Sequence, residues 1–535
     1  MAKGSASTSQ NALTKGPSSL EAIPLPPPYS GQRDDLPLVM IESPYAERVW
    51  NWNLDTGAAI VRNGDTVHAT KTGKTILNTS TYSFGSSQKL FCVYDNGGGT
   101  GLRVADASAA GVPTDVYSPG GVGGDDQIQT LFFNNVLTFF GESTWTPGSV
   151  GCPQYNGSAW ALSGYTYPTI AVPFGGTSYK NRAYVLQSNG TKYAYSAINA
   201  ISGAMTEVDL AQVMSANGFL YGIRSVSLSE GLEQENVLCF LFNTGEVLVY
   251  SGAYPNSSDW KLIGRFTISP PIYYNAFVEA RGDSFVITNA GLLSLRTLFT
   301  QGADIATKQA ISATIQNRWK QIVGYDWAAT GAQIWVKGSY DQIRDRIVIT
   351  VPFAIATDGT PESYGVRLIY SFKTGSWFEH KITNSGVAMT STAFFKGDIY
   401  QGCIGGIIKA EGATDFVDEQ VDGTADEGYP FDLISAPIAM GRSFVARAEG
   451  IDVLIESDMY AETQYQFISD LGVIESVAQK LPSNTASTLT KPNVNMGIEG
   501  SYIQYRISGT TAASKTVGLK LYGVNVWANN GRSPR

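Results

Sequence analysis

Short runs of apolar or alternating residues, separated by glycine or asparagine, fill the chain from about residue 45 to about residue 430. Tight-turn signals lie between paired runs at Asn63-Gly64, Thr244-Gly245, Asn289-Ala290-Gly291, Thr374-Gly375 and Lys396-Gly397. Such a turn between two β-prone runs is a strong local signal for a β-hairpin. The run RIVITVPFAI (346–355) has the pattern of a buried strand. The recurring unit is therefore two antiparallel strands joined by a tight turn.

Two segments have helical spacing instead. Apolar residues recur at i, i+4, i+8 and i+11 in the segment ADIATKQAISATIQNRWKQIVG, at Ile311, Ile315, Trp319 and Ile322. Asp304 is a candidate N-cap and Gly324 follows the last turn, so we predict a helical insertion near residues 303–323. The segment VDLAQVMSANG (208–218) predicts a second short helix. These helices would pack on the side of the domain or, alternatively, between subunits.

Repeated hairpins without long helices predict an all-β fold, and they favour a β-propeller built of antiparallel hairpins over residues 43–430. Strand patterns resume over residues 431–535 and predict a C-terminal β-sandwich-like region or, alternatively, a last blade with an extension. Residues 1–42 are rich in Ser, Thr, Asn and Gln, and they include three consecutive prolines at 26–28. This composition predicts a flexible N-terminal arm or, alternatively, a strap across a neighbouring subunit. Irregular spacing leaves the number of blades open.

The composition supports this prediction. Glycine accounts for 57 of 535 residues and charged residues for only 16%, while aromatic residues reach 11%. Soluble proteins have on average about 7% glycine and about 25% charged residues. Abundant glycine suits many turns, whereas long solvated helices require more Lys and Glu. A hydrophobic content of 43% excludes disorder over most of the length.

Charge and cysteine content restrict the functional classes. The 37 basic and 46 acidic residues give a formal charge of −9, which disfavours binding to nucleic acid through the overall field. The four cysteines lie far apart without a C-x-x-C pair, so we expect small buried apolar residues in a reducing compartment. The sequence contains no run of 18 apolar residues and therefore predicts no membrane-spanning segment. We expect synthesis in the cytoplasm.

Candidate chemical motifs are mostly rejected. The two histidines, His68 and His380, are too few for a His-rich metal site and are interpreted as structural. ATKTGKT (69–75) ends like a phosphate-binding loop, but His68 occupies the position of its first glycine. The acidic segment 411–427 predicts a solvated loop or, alternatively, a weak cation site.

The segment SFKTGSW (371–377) matches the turn signature of sialidase propellers only loosely, and suitably spaced catalytic carboxylates cannot be placed. The sequence therefore predicts no catalytic residue, no metal ligand and no cofactor, and the protein is interpreted as a non-enzyme.

An ordered set of segments resembles one protein family. The set consists of GTKYAYSAINAISGAMTEVDL (190–210), FNTGEVLVYSG (242–252), WKLIGRFTISPP (260–271), GDSFVITNAGLLSL (282–295), the helix that ends in RWKQIV, and the strands SYIQYRISG and GLKLYGVNVW. In this order the segments resemble the tail-tube nozzle proteins of short-tailed, podovirus-type bacteriophages. The resemblance covers most of residues 45–527, and its specificity lies in the order because no single stretch is diagnostic.

The resemblance implies a β-propeller subunit that assembles as a ring, typically of six copies, at the distal end of the tail. The ring would lie beneath the head-to-tail connector, adjoin receptor-binding fibres or spikes, and let genomic DNA pass without sequence-specific binding. The expected locations are the virion tail and, during assembly, the host cytoplasm. The family has no catalytic residues to carry over, and the Pro-rich N-terminal arm has no alignable counterpart. The alternative function is a carbohydrate-binding or carbohydrate-cleaving propeller that acts in receptor recognition.

Overall fold

In the computed structural model, antiparallel strands form almost all of the regular structure, which confirms the all-β prediction. The structure describes residues 20–529 except for 97–100, 119–126, 142–151, 216, 229–235, 275, 324–335, 354–359, 361, 363, 384–387, 440–445, 457–462, 471–473, 479–488, 491–492 and 512–518. Four strands come first in the chain: β1 (Leu20–Leu25), β2 (Ala46–Trp50), β3 (Trp52–Asn53) and β4 (Ala59–Val61).

Blades one and two are four-stranded meanders. Their strands are β5 (Thr66–Phe84), β6 (Ser87–Asp95), β7 (Leu102–Asp106), β8 (Thr114–Tyr117), β9 (Ile128–Phe133), β10 (Val136–Gly141), β11 (Pro153–Tyr155) and β12 (Trp160–Leu162).

Blades three and four are also four-stranded, and a short parallel pair, β13 with β17, accompanies blade three. The strands are β13 (Gly164–Thr166), β14 (Pro173–Tyr179), β15 (Arg182–Gln187), β16 (Lys192–Tyr195), β17 (Ser202–Ala204), β18 (Thr206–Asp209), β19 (Leu220–Ser227), β20 (Asn236–Phe242), β21 (Glu246–Ser251) and β22 (Lys261–Thr267).

Blade five has three strands, blade six has four, and blade seven combines two new strands with the first half of β5. The new strands are β23 (Phe277–Ala280), β24 (Asp283–Thr288), β25 (Gly291–Ser294), β26 (Lys337–Asp341), β27 (Arg346–Val351), β28 (Gly365–Ser371), β29 (Ser376–Ile382), β30 (Met389–Phe395) and β31 (Asp398–Lys409).

The described residues therefore form a β-propeller of seven blades, and β5 closes the ring. Its first half pairs with β31 in the last blade, from Thr66↔Lys409 to Thr75↔Ile404. Its second half pairs with β6 and forms the innermost strand of the first blade. A strand shared by the first and last blades closes the ring through backbone hydrogen bonds, because the two ends of the propeller belong to one continuous strand.

Four of the five predicted hairpins are confirmed. Thr244-Gly245, Asn289-Ala290-Gly291, Thr374-Gly375 and Lys396-Gly397 each connect two strands that pair with each other. Lys396 and Gly397 both have positive φ angles, 48° and 94°, as tight hairpin turns of the primed type require. The run 346–355 also begins as a strand, β27.

The hairpin predicted at Asn63-Gly64 is wrong. β4 pairs with β3 and with the last strand of the chain, whereas β5 pairs with β31 and β6. The chain passes from one domain to the other at this point. An added Cβ at Gly64 would overlap the carbonyl oxygen of Val417, so this glycine permits close contact between two backbone segments and makes no turn.

The helical insertion lies between blades five and six and is broken into short pieces: α1 (Leu295–Gln301), α2 (Ala303–Lys308), a 3₁₀ turn (Ile311–Ile315) and α3 (Gln316–Ile322). Ser294 caps α1 by accepting a hydrogen bond from the Thr297 amide. Asp304 is not an N-cap, because it lies in the first turn of α2 after Gly302. Trp319 and Ile322 are buried against blade five and blade six, and Gly324 lies outside the described residues.

The second predicted helix, over residues 208–218, is reduced to one turn. The carbonyl oxygen of Leu210 accepts hydrogen bonds from the amides of Val213 and Met214. A single turn fixes several backbone dihedrals for few hydrogen bonds, so a longer apolar face would have been needed to extend it. Ala216 lies outside the described residues.

The remaining strands follow the propeller: β32 (Val417–Asp418), β33 (Glu427–Gly428), β34 (Pro430–Ser435), β35 (Ile438–Ala439), β36 (Ala446–Glu456), β37 (Gln464–Ser469), β38 (Ile474–Ala478), β39 (Leu489–Thr490), β40 (Asn493–Gly500), β41 (Tyr502–Thr510) and β42 (Lys520–Asn529). A further 3₁₀ turn covers Leu38–Met40 near the start of the chain.

These strands form a β-sandwich with the strands that precede the propeller. One sheet contains β34, β41, β37 and β38, and it continues blade six through β2, which pairs with β29 at Trp50↔Glu379. The other sheet contains β3, β4, β42, β36 and β39, with β1 and β40 attached. Buried apolar side chains of both sheets, including those of Leu433, Ile507 and Leu521, form one hydrophobic core.

The N-terminal segment differs from the predicted flexible arm over residues 1–42. Strand β1 pairs with β42 from Leu20↔Asn529 to Leu25↔Val524, and Gly31 and Gln32 form bridges to Trp377 and Ala46. The partner strand is some five hundred residues away along the chain, so the local sequence contains no signal for this pairing. Residues 1–19 lie outside the described residues.

Candidate functional site

The innermost strands of all seven blades surround a central cavity of about 1130 Å³, here called the axial channel. Each blade contributes its first strand because the chain starts every blade at the axis and proceeds outward. The contributing strands are β5, β9, β14, β19, β23, β26 and β30. Among the described residues, side chains from all seven blades therefore line one cavity at the axis of the propeller.

Hydroxyl groups dominate the lining of the axial channel. The Ser and Thr residues that line it are Thr79, Ser80, Thr81, Ser83, Thr130, Thr177, Ser178, Ser225, Ser339 and Thr392. Each hydroxyl can donate one hydrogen bond and accept others, so the lining suits polar ligands that carry both donors and acceptors.

Some of these hydroxyls connect neighbouring blades. Thr79 Oγ1 donates to Ser391 Oγ at 3.2 Å, which joins β5 to β30. Ser339 and Thr392 share a hydrogen bond of 3.0 Å, which joins β26 to β30. The Asn78 amide donates to the Ile128 carbonyl oxygen at 2.9 Å and joins β5 to β9. These bonds hold the lining in place, so the channel is a preformed part of the fold.

Two cationic side chains lie at one end of the channel, in an adjoining cavity of about 180 Å³. Arg224, from β19, donates to the Ile223 carbonyl oxygen at 2.8 Å, and its guanidinium carbon lies 4.4 Å from the centre of the Phe277 ring. Arg224 Nε is 3.9 Å from a carboxylate oxygen of Glu279, whose side chain is 71% exposed. Burial lowers the pKa of Arg224.

The second cation is Lys337, the first residue of β26, which is only 7% exposed. Its ammonium nitrogen donates to the Leu77 carbonyl oxygen at 3.2 Å. Among the described residues no salt bridge joins Lys337 to a carboxylate. Burial lowers the pKa of Lys337 to about 7, because a charged ammonium is poorly solvated there.

An exposed aromatic ring lies on the wall of the channel. Phe132 is 42% exposed and packs edge-to-face on Tyr82, with 5.7 Å between the ring centres. Such a ring offers an apolar face beside the hydroxyl groups.

The acidic segment 411–427 is not the uniformly solvated loop that the sequence predicts. Asp418 and Arg62 are both fully buried, and Arg62 donates to the two carboxylate oxygens of Asp418 at 2.9 and 2.7 Å. Glu411 is also buried and pairs with Arg346. The expectation of a solvated loop holds only for residues 422–427, which are exposed.

We call the buried charges between the propeller and the sandwich the junction cluster; its members are Arg62, Asp65, Arg346, Arg367, Glu411 and Asp418. Asp65 accepts two hydrogen bonds from Arg367, at 2.9 and 2.8 Å. Because arginines pair with Asp418 and Glu411, these two residues of the segment offer no free carboxylate to a cation. The described residues contain no group of three or more His, Cys, Asp or Glu side chains that could hold a metal ion.

The two histidines have different environments. The Nε2 atom of His68 is 2.7 Å from the Ala107 carbonyl oxygen. His380 is completely buried, and neither ring nitrogen has a hydrogen-bond partner among the described residues. Burial lowers the pKa of His380 well below its ordinary value, so the ring is neutral. Residues 69–75, which resemble half of a phosphate-binding loop, belong to strand β5.

All four cysteines are buried, as the sequence predicts, and none forms a disulfide bond: Cys92, Cys152, Cys239 and Cys403. Sequence reasoning did not identify Arg224 and Lys337, because a single cation within a strand pattern is not a signal. Only the ring arrangement brings these two residues, from blades four and six, to the same cavity.

Comparisons with known proteins give only distant likenesses. No family model matches the chain, and no curated protein matches it. Among solved structures, the chain is similar to Raptor of Chaetomium thermophilum, with 6% identity and a TM-score of 0.26 over 65% of this chain and 29% of that one. It is also similar to an exo-beta-1,3-galactanase from Phanerochaete chrysosporium, with 8% identity and a TM-score of 0.24 over 75% of this chain and 95% of that one.

A third similar structure is YCF48 bound to a D1 peptide, with 10% identity and a TM-score of 0.25 over 72% of this chain and 97% of that one. This chain spans less than a third of the Raptor chain. At such scores these likenesses carry no argument about function, and the propeller is assigned from its own sheet topology. No helix among the described residues is long and apolar enough to cross a membrane.

Proposed function

We propose that the chain is a structural virion protein that forms the distal nozzle ring of a short phage tail, through which DNA is ejected. The observation that carries this proposal is the ordered resemblance to tail nozzle proteins. Its segments fall on successive elements of the fold: residues 190–210 cover β16 to β18, residues 242–252 cover β21, and residues 282–295 cover β24 and β25. A resemblance that follows the blades in order supports a common architecture better than isolated matches would.

Charge gives the proposal a physical rationale. Six copies with a formal charge of −9 each would carry −54 in total. Contacts between basic side chains and phosphates would slow the passage of DNA, whereas a negative ring repels the DNA. In this proposal DNA passes between the subunits, along the axis of the ring, and the axial channel of each propeller is a separate feature.

The decisive experiment is electron microscopy of the particle that contains the chain. We expect six-fold density of propeller size below the head-to-tail connector, at the tip of the tail. Density around the side of the tail, or a chain absent from the particle, would refute the proposal. The purified chain provides a second measurement, because mass photometry should detect a closed ring of 57.4 kDa subunits under assembly conditions.

A second candidate function is carbohydrate binding, or carbohydrate cleavage, in receptor recognition. The hydroxyl-lined axial channel and the exposed ring of Phe132 favour it, because sugars bind through hydrogen bonds and by stacking on aromatic rings. A glycan array and a hydrolysis assay on the purified chain test this candidate. Phe132→Ala should weaken any binding, whereas Phe84→Ala, at a ring that is 50% exposed but outside the channel, should not.

A further inference from the structure

Lys337 and Arg224 bring two positive charges to one end of the axial channel. Lys337 enters from blade six and Arg224 from blade four, while blade five, between them, contributes Phe277. All three residues line the cavity of about 180 Å³. The two cations belong to different blades, so they line the same cavity only because the blades are arranged in a closed ring.

No carboxylate side chain is among the residues that line this cavity. Lys337 has a backbone carbonyl oxygen as its hydrogen-bond acceptor. The carboxylate nearest to Arg224 belongs to Glu279, at 3.9 Å, and this side chain extends largely into solvent. Buried lysines are rare unless they are paired, because an unpaired buried charge destabilises the folded chain. A bound anion would offset this cost.

The cavity also provides room and further donors. A water molecule takes up about 30 Å³ of liquid, so a cavity of about 180 Å³ has space for an anion of a few heavy atoms. Hydroxyl side chains of Thr79, Thr130 and Thr392 line the same cavity. Cationic donors together with hydroxyl groups are the usual partners of oxyanions, and hydrogen bonds from charged donors are the stronger kind.

We propose that this cavity is a binding site for a small oxyanion, held between the ammonium group of Lys337 and the guanidinium group of Arg224. The ligand presents either a tetrahedral sulfate-like or phosphate-like group or the carboxylate of an acidic sugar. The shared chemistry is a compact group of oxygen atoms that carries negative charge. The site does not depend on the nozzle function, because it lies within a single propeller.

Isothermal titration calorimetry of the full chain tests the site with three probes: sulfate, glucuronate and glucose. We expect saturable binding of sulfate or glucuronate and none of glucose, which has the same hydroxyl groups as glucuronate but no carboxylate. Sulfate binding alone identifies a tetrahedral ligand, and glucuronate binding alone identifies an acidic sugar. If neither anion binds, the proposal is wrong.

Lys337→Met separates this site from general attraction of anions. Methionine is similar in length and removes a buried charge, so the variant should fold. We expect anion affinity to fall at least tenfold, whereas Lys396→Met, at an exposed lysine elsewhere on the channel, should bind like the wild type. Arg224→Gln should weaken binding in the same way. Equal affinities of Lys337→Met and wild type would overturn the proposal.

The pH dependence gives an independent measurement. The charged side chain that lines the same cavity as Lys337 is that of Arg224, from β19, and Glu279, from β23, lines the adjoining axial channel. The pKa of Lys337 is about 7, so its protonated fraction falls between about pH 6 and about pH 8. We expect binding about fivefold to tenfold tighter at the lower pH, and no such change in Lys337→Met. Binding that is independent of pH in the wild type would contradict the assignment of Lys337.

Discussion

The ion pair between Arg62 and Asp418 connects the start of the propeller to the segment that follows its last blade. Replacing Asp418 by Asn retains the shape of the side chain and removes its charge. Arg62 then has only the Asp65 carboxylate, at 3.5 Å, as an anionic partner within the cluster. Asp65 already accepts two hydrogen bonds from Arg367, so two buried arginines would share one carboxylate.

The expected cost is large because both partners are completely buried. Removal of one partner from a buried ion pair costs about 3–5 kcal/mol, since the other charge stays in the interior without compensation. Asp418 also accepts hydrogen bonds from the Asp65 amide at 2.9 Å and from the Thr383 hydroxyl at 2.9 Å. The amide group of Asn would point a donor at one of these donors. We therefore expect a loss at the upper end of this range.

Urea unfolding followed by tryptophan fluorescence measures this loss, because Trp52 and Trp377 are buried in the sandwich and in blade six. The matched control is Asp422→Asn, a substitution of the same kind at an exposed residue of the same acidic segment. We expect the midpoint to fall in Asp418→Asn and to stay unchanged in the control. If the two variants unfold at the same urea concentration, the buried pair does not stabilise the junction.

The same pair predicts how stability depends on pH. Burial alone would raise the pKa of Asp418, but the charge and hydrogen bonds of Arg62 outweigh burial and lower the pKa below 3.8. The unfolded chain therefore binds a proton at this residue before the folded chain does. The contribution of the pair is complete above about pH 4 and is lost as the pH falls through the lowered pKa. The difference between wild type and Asp418→Asn should shrink in that range.

Three further predictions follow from buried groups. Lys337→Met should raise the free energy of unfolding by several kcal/mol below about pH 7, and this difference from the wild type should vanish above about pH 10.5. The reason is that only the unfolded lysine keeps its proton between these two values. A difference in urea unfolding that stays constant between these limits would contradict the prediction. Gly64→Ala should cost about 1–3 kcal/mol in urea unfolding, because the added methyl overlaps the backbone of Val417, and an unchanged midpoint would refute this. The four cysteines should not react with a thiol reagent until the chain is denatured, because burial raises the pKa of each thiol to about 12; rapid reaction of the native chain would contradict this.

The sequence predicts a hairpin correctly where the two paired strands directly precede and follow the turn. Lys396-Gly397 and Thr244-Gly245 make the predicted turns because both strands of each hairpin lie beside the turn in the chain. Asn63-Gly64 has the same local signal, yet it connects two domains, because β4 and β5 each have partners elsewhere in the chain. A turn dipeptide therefore predicts a hairpin only when no other strand offers a better partner.

The candidate site could not be predicted in the same way. Lys337 and Arg224 are 113 positions apart, and each stands alone in an ordinary strand pattern. To predict that these two residues line one cavity, one must know the number of blades and how the ring closes, and a local sequence pattern encodes neither. The buried pairing of Asp418 was missed for the same reason, because its partner Arg62 is 356 positions away.

Closure of the propeller and attachment of the sandwich depend on the same short stretch of chain. Arg62 ends the segment that leaves the sandwich, and four residues later Thr66 begins the strand that pairs with β31. Asp418, which pairs with Arg62, lies nine residues beyond the end of β31. The ring cannot open between its first and last blades without disturbing this ion pair, so the pair links the two domains energetically. Weakening of the pair should therefore increase hydrogen exchange along the β5–β31 ladder as well as at the junction.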